Sequence, residues 1–258
     1  QHITPKYTES DIESIITPLS AEIERLNVQV NDINAKNNLY PNELGNGELS
    51  LKVTGIRQLT DHVKAIELRD TQGNDLPKIE AGAHLSIPVQ LPSGKTIWRP
   101  YSISSNPSRR DIYEIAVLFE PENVANSNVK KSDSQNSAAK SIHQYFSLGL
   151  ILHSHLPKNL FSLNEKSTLD VLIAGGIGIT PIKSMALCLL NNKKKFQLHY
   201  AGRSIKEMAF SDRLQRQVGD DLHLYPSNEG RKLDLRKILL KSPQGSHFYL
   251  CGPARMQN

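Results

Sequence analysis

Residues 169–181 read LDVLIAGGIGITP, and the fold turns on this stretch. Leu169-Asp170-Val171-Leu172-Ile173-Ala174 is a short, almost unbroken apolar run, the pattern of a strand buried on both faces. Gly175-Gly176-Ile177-Gly178 follows at once, and Ile179-Thr180-Pro181 opens a helical pattern that continues through Leu190. Proline is at ease in a first helical turn, where its missing N–H has no partner to lose. A strand that ends in glycines lets a ligand approach the backbone, because no Cβ stands in the way. The helix start then offers free N–H groups and the positive end of a dipole to phosphate or ribose oxygens. The spacing is not the G-x-G-x-x-G dinucleotide fingerprint. Taken alone, the loop reads equally well as a tight structural turn or as a nucleotide site.

Downstream, apolar strands are expected at 196–200, 222–225 and 247–250, with helical stretches near 206–217 and 234–240. Strands alternating with helices mean a parallel sheet covered on both faces. The last strand runs into Tyr249-Leu250-Cys251-Gly252-Pro253, at the carboxyl edge where such sheets bind ligands. Cys251 reads either as part of that site or as a small core group, and Cys188, on an apolar helix face, reads as core. A further helix should begin where the sequence given ends, so the α/β domain (164–258) is expected to be C-terminally incomplete.

Upstream the period changes. Short apolar or alternating runs at 51–53, 63–68, 85–89, 97–103 and 112–117 are separated by Gly73-Asn74-Asp75 and Pro92-Ser93-Gly94. Short strands at this spacing predict a small antiparallel barrel over 48–163. One strand ends in RPYSISS (99–105), just after Trp98, the only tryptophan. A cation, a ring and several hydroxyls are unusual filling for a strand. Arg99 needs an anion, and either a surface carboxylate or a ligand phosphate satisfies a guanidinium. Residues 120–140, rich in Asn, Ser and Lys, read as a long mobile loop, and 37–46 as a linker. Residues 8–35 read as helix. Ser10-Asp11-Ile12-Glu13 has capping-box form, and apolar residues at 12, 16, 19, 23, 26, 30 and 33 make a heptad seam that Thr17-Pro18 interrupts. This extension (1–47) packs on the parent domain or serves subunit contact.

The chain has 258 residues, enough for two modest domains, with 38% hydrophobic and 22% charged residues. No apolar run approaches the roughly 20 residues that span a bilayer, and no secretory signal is evident, so a cytoplasmic protein without membrane association is expected. Two cysteines exclude a four-thiolate iron–sulfur cluster held by this chain alone and suit a reducing compartment. The net charge of +5 is uneven: residues 1–50 hold three Lys/Arg against eight Asp/Glu. The basic remainder is scattered and not interleaved with aromatics, which argues against a nucleic-acid groove. No metal ligand set is apparent.

RPYS, GGIGITP and YLCGP, in this order and at these separations, resemble the ferredoxin–NADP reductase superfamily, in particular its phthalate dioxygenase reductase and vanillate demethylase reductase type. Ala81-Gly82-Ala83-His84, LPKNLF at 156–161 and HYAGRS at 199–204 extend the likeness over about 49–258. The resemblance implies a flavin-binding antiparallel barrel followed by a doubly wound NAD(P)-binding domain. It implies an NAD(P)H-dependent flavin oxidoreductase, the reductase component of an oxygenase system, passing electrons to a ferredoxin-type iron–sulfur domain or an oxygenase partner. A stand-alone flavin or ferric reductase, or an assembly subunit that keeps the fold without catalysis, are the alternatives. The cofactors implied are FMN, with FAD as the alternative, and NADH, with NADPH as the alternative; the 2Fe–2S centre is not within this chain.

By the same resemblance Arg99, Pro100, Tyr101 and Ser102 hold the flavin: Arg99 at its phosphate, Tyr101 against its ring or ribityl chain, Ser102 near N5. Ala116, Val117 and Leu118 face its other edge. Where the family has a Gly-Gly-Ser phosphate turn, this chain reads Ala139-Lys140-Ser141, so Lys140 and Ser141 stand in for it. Gly175, Gly176, Gly178 and Thr180 line the nicotinamide nucleotide, and Cys251, Gly252 and Pro253 sit by its ring, Ser102 and Cys251 being the catalytic pair. Arg203 and Ser204 lie where the adenosine ribose is read. No acidic residue is apparent there in the sequence to select NADH.

Overall fold

The computed structural model describes residues 40–120, 133–164, 166–253 and 256, together with 13, 16–23, 25 and 26. The N-terminal half of the described chain is antiparallel apart from its first strand. Strands β1 (Glu43–Gly45), β2 (Leu49–Thr60), β3 (Val63–Asp70), β6 (Tyr113–Leu118) and β7 (Ile151–Ser154) form one sheet in the order β1-β7-β2-β3-β6, and β4 (His84–Gln90) pairs with β5 (Thr96–Ser102) in a second. Inward residues alternate in β2, where Leu49, Leu51 and Val53 are buried and their neighbours are not. This is the period-2 pattern of a half-buried strand. Leu51, Leu68, Leu85, Ile87, Ile115 and Leu152 meet in one core. The expected linker therefore contains a strand: β1 runs parallel to β7, with Leu44 opposite Leu152 and buried among the core residues.

A second correction concerns 120–140. Its second half is helical: α1 (Asp133–Tyr145) lays Ala138, Ala139 and Ile142 on the barrel core. Polar composition hid this helix, because its apolar positions are mostly alanines and so few. Its last turn is tied down by Lys64, whose ammonium donates to the His143 carbonyl at 2.7 Å. Trp98, half-buried on β5, stacks on His155 with ring centroids 4.1 Å apart.

The C-terminal half is a parallel sheet, β10 (Leu222–Pro226), β9 (Phe196–Gly202), β8 (Asp170–Gly175) and β11 (His247–Cys251) in that order. Helices α2 (Ile179–Asn191) and α3 (Ser211–Val218) join the core on one face, and α4 (Leu235–Lys241), capped by Asp234 onto the Lys237 N–H, covers Val171 and Ile173 on the other. The two halves share apolar packing: Val63, Ala65, Ala81 and Ala116 of the barrel belong to the same buried cluster as Leu172, Ile182, Met185 and Leu198. Among the described residues no helix is long and apolar enough to cross a membrane.

Residues 16–23 are helical through Thr17-Pro18, and Ile16, Leu19, Ile23 and Leu26 are exposed. The capping box apart from Glu13, and the seam positions 12, 30 and 33, lie outside the described residues.

His199, inside the sheet layer on β9, stacks on His223 and shares a 2.9 Å hydrogen bond between Nδ1 and the Tyr225 hydroxyl. Burial, helped by His223, lowers its pKa from 6.5 to about 4. The folded state thus prefers neutral His199, and the unfolded chain binds the extra proton between these two values. The stability this contributes is full above pH 6.5 and is lost as pH falls toward 4. The melting temperature is expected to drop over that interval, and His199→Phe is expected to flatten the slope, measured by thermal unfolding across about pH 4–7.

Candidate functional site between the barrel and the parallel sheet

Strand β8 delivers the chain to the carboxyl edge of the sheet, where Gly175 to Gly178 turn it into α2. The reason for glycine differs at each position. A Cβ on Gly178 would stand 2.2 Å from the Cys251 carbonyl oxygen, and one on Gly175 would stand 2.1 Å from Met256 Sδ and 3.0 Å from Pro253. These two glycines let the end of β11 press against the turn. Gly176 instead has φ +53°, and a Cβ there would meet nothing within 4 Å. It is the left-handed corner, and its outer face is open. Thr180 is occupied locally: its hydroxyl donates to the Ile177 carbonyl at 3.0 Å.

A cavity of about 860 Å³ opens at this edge. Gly175, Gly176 and Ile177 form its floor, Ala201, Gly202 and Arg203 follow β9, Tyr225 and Ser227 follow β10, and Pro253 and Met256 close the β11 side. Thr60, His62 and Val63 from the β2–β3 hairpin, with Leu118 and Glu120 after β6, wall it from the barrel. Its size lies within the usual range for small-molecule sites, and its position is the crevice beyond the strand ends. Three cations, Arg203, Arg231 and Lys232, line its outer end. Arg203 lies 3.5 Å from Glu207, and Arg231 pairs with Glu229.

The barrel contributes a second feature. Strands β5 and β6 touch through an antiparallel bridge between Ile103 and Ile115, and the Ser104 N–H donates to the Glu114 carbonyl at 2.7 Å. Beyond the bridge they part: β5 pairs with β4 alone, and β6 with β3. Arg99 to Ser102 and Ala116 to Leu118 thus border a wedge in which the strands form no ladder, and there His143 Nε2 of α1 donates to the Val117 carbonyl at 2.9 Å. Arg99 Nε is buried and has no hydrogen-bond partner among the described residues. Burial, partly opposed by Arg99, pushes the Tyr101 phenol up to about 12, so it stays neutral and keeps its O–H. An orphaned guanidinium N–H and a neutral phenol suit a planar, phosphate-bearing heterocycle.

Of the residues singled out from sequence, the cavity brings together Leu118, Gly175, Gly176, Arg203 and Pro253. Gly178, Cys251 and Gly252 lie behind its floor, packed on the turn. Burial raises the pKa of Cys251, a free thiol, which keeps it protonated. Arg99, Pro100, Tyr101, Ser102, Ala116 and Val117 form the wedge and not the cavity. Ser204 is not among the cavity residues. The expected phosphate turn at 139–141 is not a turn. Ala139, Lys140 and Ser141 lie inside α1, where their N–H groups are committed to the helix, and Ser141 is fully buried.

The sequence reading missed Thr60 and His62, which a hairpin tip brings in without a local signal. It also missed Arg231 and Lys232, although the segment after a parallel strand's carboxyl end is where ligand contacts arise. Glu207 corrects the expectation of no acidic residue near Arg203: the short 3₁₀ turn Ile205–Glu207 swings it to the cavity wall.

An antiparallel barrel with an open wedge, abutting a parallel sheet with its crevice at the seam, defines a ferredoxin–NADP reductase-like fold. Residues 172–258 match the oxidoreductase NAD-binding domain family. The chain is homologous to reductases of that class. It is 36% identical over 200 residues to the vanillate O-demethylase oxidoreductase of Acinetobacter baylyi, covering 77% of this chain and 58% of the relative. It is 33% identical over 205 residues to the carnitine monooxygenase reductase subunit of Escherichia coli, covering 79% and 60%. The structure of phthalate dioxygenase reductase superimposes with a TM-score of 0.69 at 30% identity, over 81% of this chain and 61% of that one. The chain thus spans about 60% of the length of these relatives.

Gly178→Ala forces a methyl against the Cys251 carbonyl, a backbone atom with no room to yield. It is expected to cost about 1–3 kcal/mol, the usual scale of overpacking, whereas Gly176→Ala costs only its backbone strain of about 1–2 kcal/mol. Urea unfolding of both variants checks the order.

Proposed function

We propose that the chain is the flavin- and nicotinamide-binding part of an oxygenase reductase, taking NADH as donor and FMN as resident cofactor. The observation that carries this reading is the meeting of wedge and cavity at one seam. Leu118 ends the wedge wall and also lines the cavity, so ligands in the two sites face each other. Arg99, Tyr101 and Ser102 would hold a flavin and the Gly175–Gly176 corner a nicotinamide nucleotide, and together these groups would supply hydride transfer and one-electron release.

The chain's own residues do the rest. Arg99 provides the cation for the flavin phosphate, and its unpartnered Nε supports that role. Tyr101, neutral and mostly buried, flanks the ring system, and the Ser102 hydroxyl stands ready to hydrogen-bond near N5. The Gly176 corner admits the nicotinamide nucleotide close to the backbone, and the start of α2 favours its phosphates. Pro253 closes the nicotinamide end, with Cys251 packed behind it. Arg231 and Lys232 draw in the diphosphate, while Glu207 beside Arg203 accepts ribose hydroxyls and disfavours a 2′-phosphate, which supports NADH over NADPH. The pairing of relatives with vanillate demethylase and carnitine monooxygenase supports an oxygenase or iron–sulfur partner. The two free cysteines support a reducing, cytoplasmic setting.

The absorption spectrum tests this reading. A flavin band after reconstitution with FMN, bleached by NADH under anaerobic conditions, is the expected result; a colourless protein that leaves NADH untouched overturns it. Arg99→Ala is expected to weaken FMN binding by about 1.5–3 kcal/mol, the scale of a charged hydrogen bond, measured by fluorescence titration.

A further inference from the structure

Lys183 is the most deeply buried cation among the described residues, its side chain 2% exposed. It lies on α2, in the helix that the glycine turn opens. Its ammonium crosses the seam to the barrel and donates to the Ser104 carbonyl at 2.6 Å and to Glu114 Oε1 at 2.9 Å. It also sits 4.7 Å above the centroid of the Phe210 ring. Phe210 holds a left-handed φ of +65°, rare for a bulky residue, to bring the ring there.

Glu114 is fully engaged in turn. Oε1 also accepts from the Ser104 hydroxyl at 2.9 Å, and Oε2 pairs with Arg57. Burial alone would raise its carboxyl; Lys183, Ser104 and Arg57 outweigh burial and hold it below the ordinary range. A buried ion pair seldom adds stability over an apolar pair of the same volume, so its presence asks for another reason. The partners give one. Ser104 stands just beyond Ser102 in the RPYSISS segment, and Lys183 stands in the GGIGITP helix. One ammonium thus joins the two segments that form wedge and cavity floor.

The geometry points to Lys183 as a positioning residue that fixes the separation and angle between flavin and nicotinamide. This rests on the functional reading above. Hydride transfer needs reacting atoms about 3–3.5 Å apart, and an error near 1 Å costs roughly 100-fold in rate. Apolar packing across the seam holds the halves together but is non-directional; two hydrogen bonds from one nitrogen to the barrel set a direction.

The test compares wild type with Lys183→Met/Glu114→Gln, which removes both charges together, and with Lys183→Leu/Glu114→Leu should the first fail to fold. The expected result is FMN and NADH affinity within about twofold of wild type, with the limiting rate of flavin reduction at saturating NADH lowered roughly 10–100-fold. Calorimetry of the apoprotein reads the coupling without any cofactor: one transition in wild type, two in the variant. A limiting rate within about twofold of wild type, or a single transition in both proteins, overturns the proposal. Should wild type fail to bind FMN or oxidise NADH, the functional reading fails, and the calorimetric comparison still decides whether Lys183 couples the halves.

Discussion

The close approach of two backbones governs this molecule. The turn after β8 and the end of β11 lie so near that any side chain at Gly178 would enter the Cys251 carbonyl. The two strands are neighbours in one parallel sheet, β8 buried along its length and β11 at the edge. Glycine allows the turn to sink below the strand ends, so the crevice keeps its depth and the start of α2 points into it. Every other element of the site takes its place relative to this corner: the loops after β9 and β10 on one side, the hairpin tip at Thr60–His62 on the other.

How the halves meet follows from packing and from charge. Small residues, Ala65, Ala81 and Ala116, line the barrel face that joins the common core, which lets the α2 face with Ile182 and Met185 settle on it. The Lys183–Glu114 network lies in the same seam and adds polar bonds of defined length to an interface that is otherwise apolar. The seam is therefore both adhesive and directional.

Much of this architecture was legible from periodicity. The strands at 51–53, 63–68, 85–89, 97–103 and 112–117, the alternation of strand and helix after 169, and the glycine corner all follow from apolar spacing and turn chemistry. What was not legible has physical causes. The strand at Glu43–Gly45 is too short to show a period and exists because β7 offers it an edge. Helix α1 carries a polar sequence with alanines on its buried face, so hydropathy missed it. At the cavity, Gly175 and Gly176 were legible from the glycine corner, whereas His62, Glu207 and Arg231 came together only through tertiary placement. Lys183 carried no signal as a seam-crossing cation, because a lone lysine in an apolar helix looks like a solvent-facing residue until its partner strand is known.

The stacking of Trp98 on His155 gives the molecule a built-in optical label. As the sole indole in the sequence, it emits from the barrel alone, on the strand that runs on to Arg99 and Tyr101. Changes in its fluorescence therefore report on that half without admixture from the parallel-sheet half, and a bound chromophore absorbing in the near ultraviolet quenches it by resonance energy transfer.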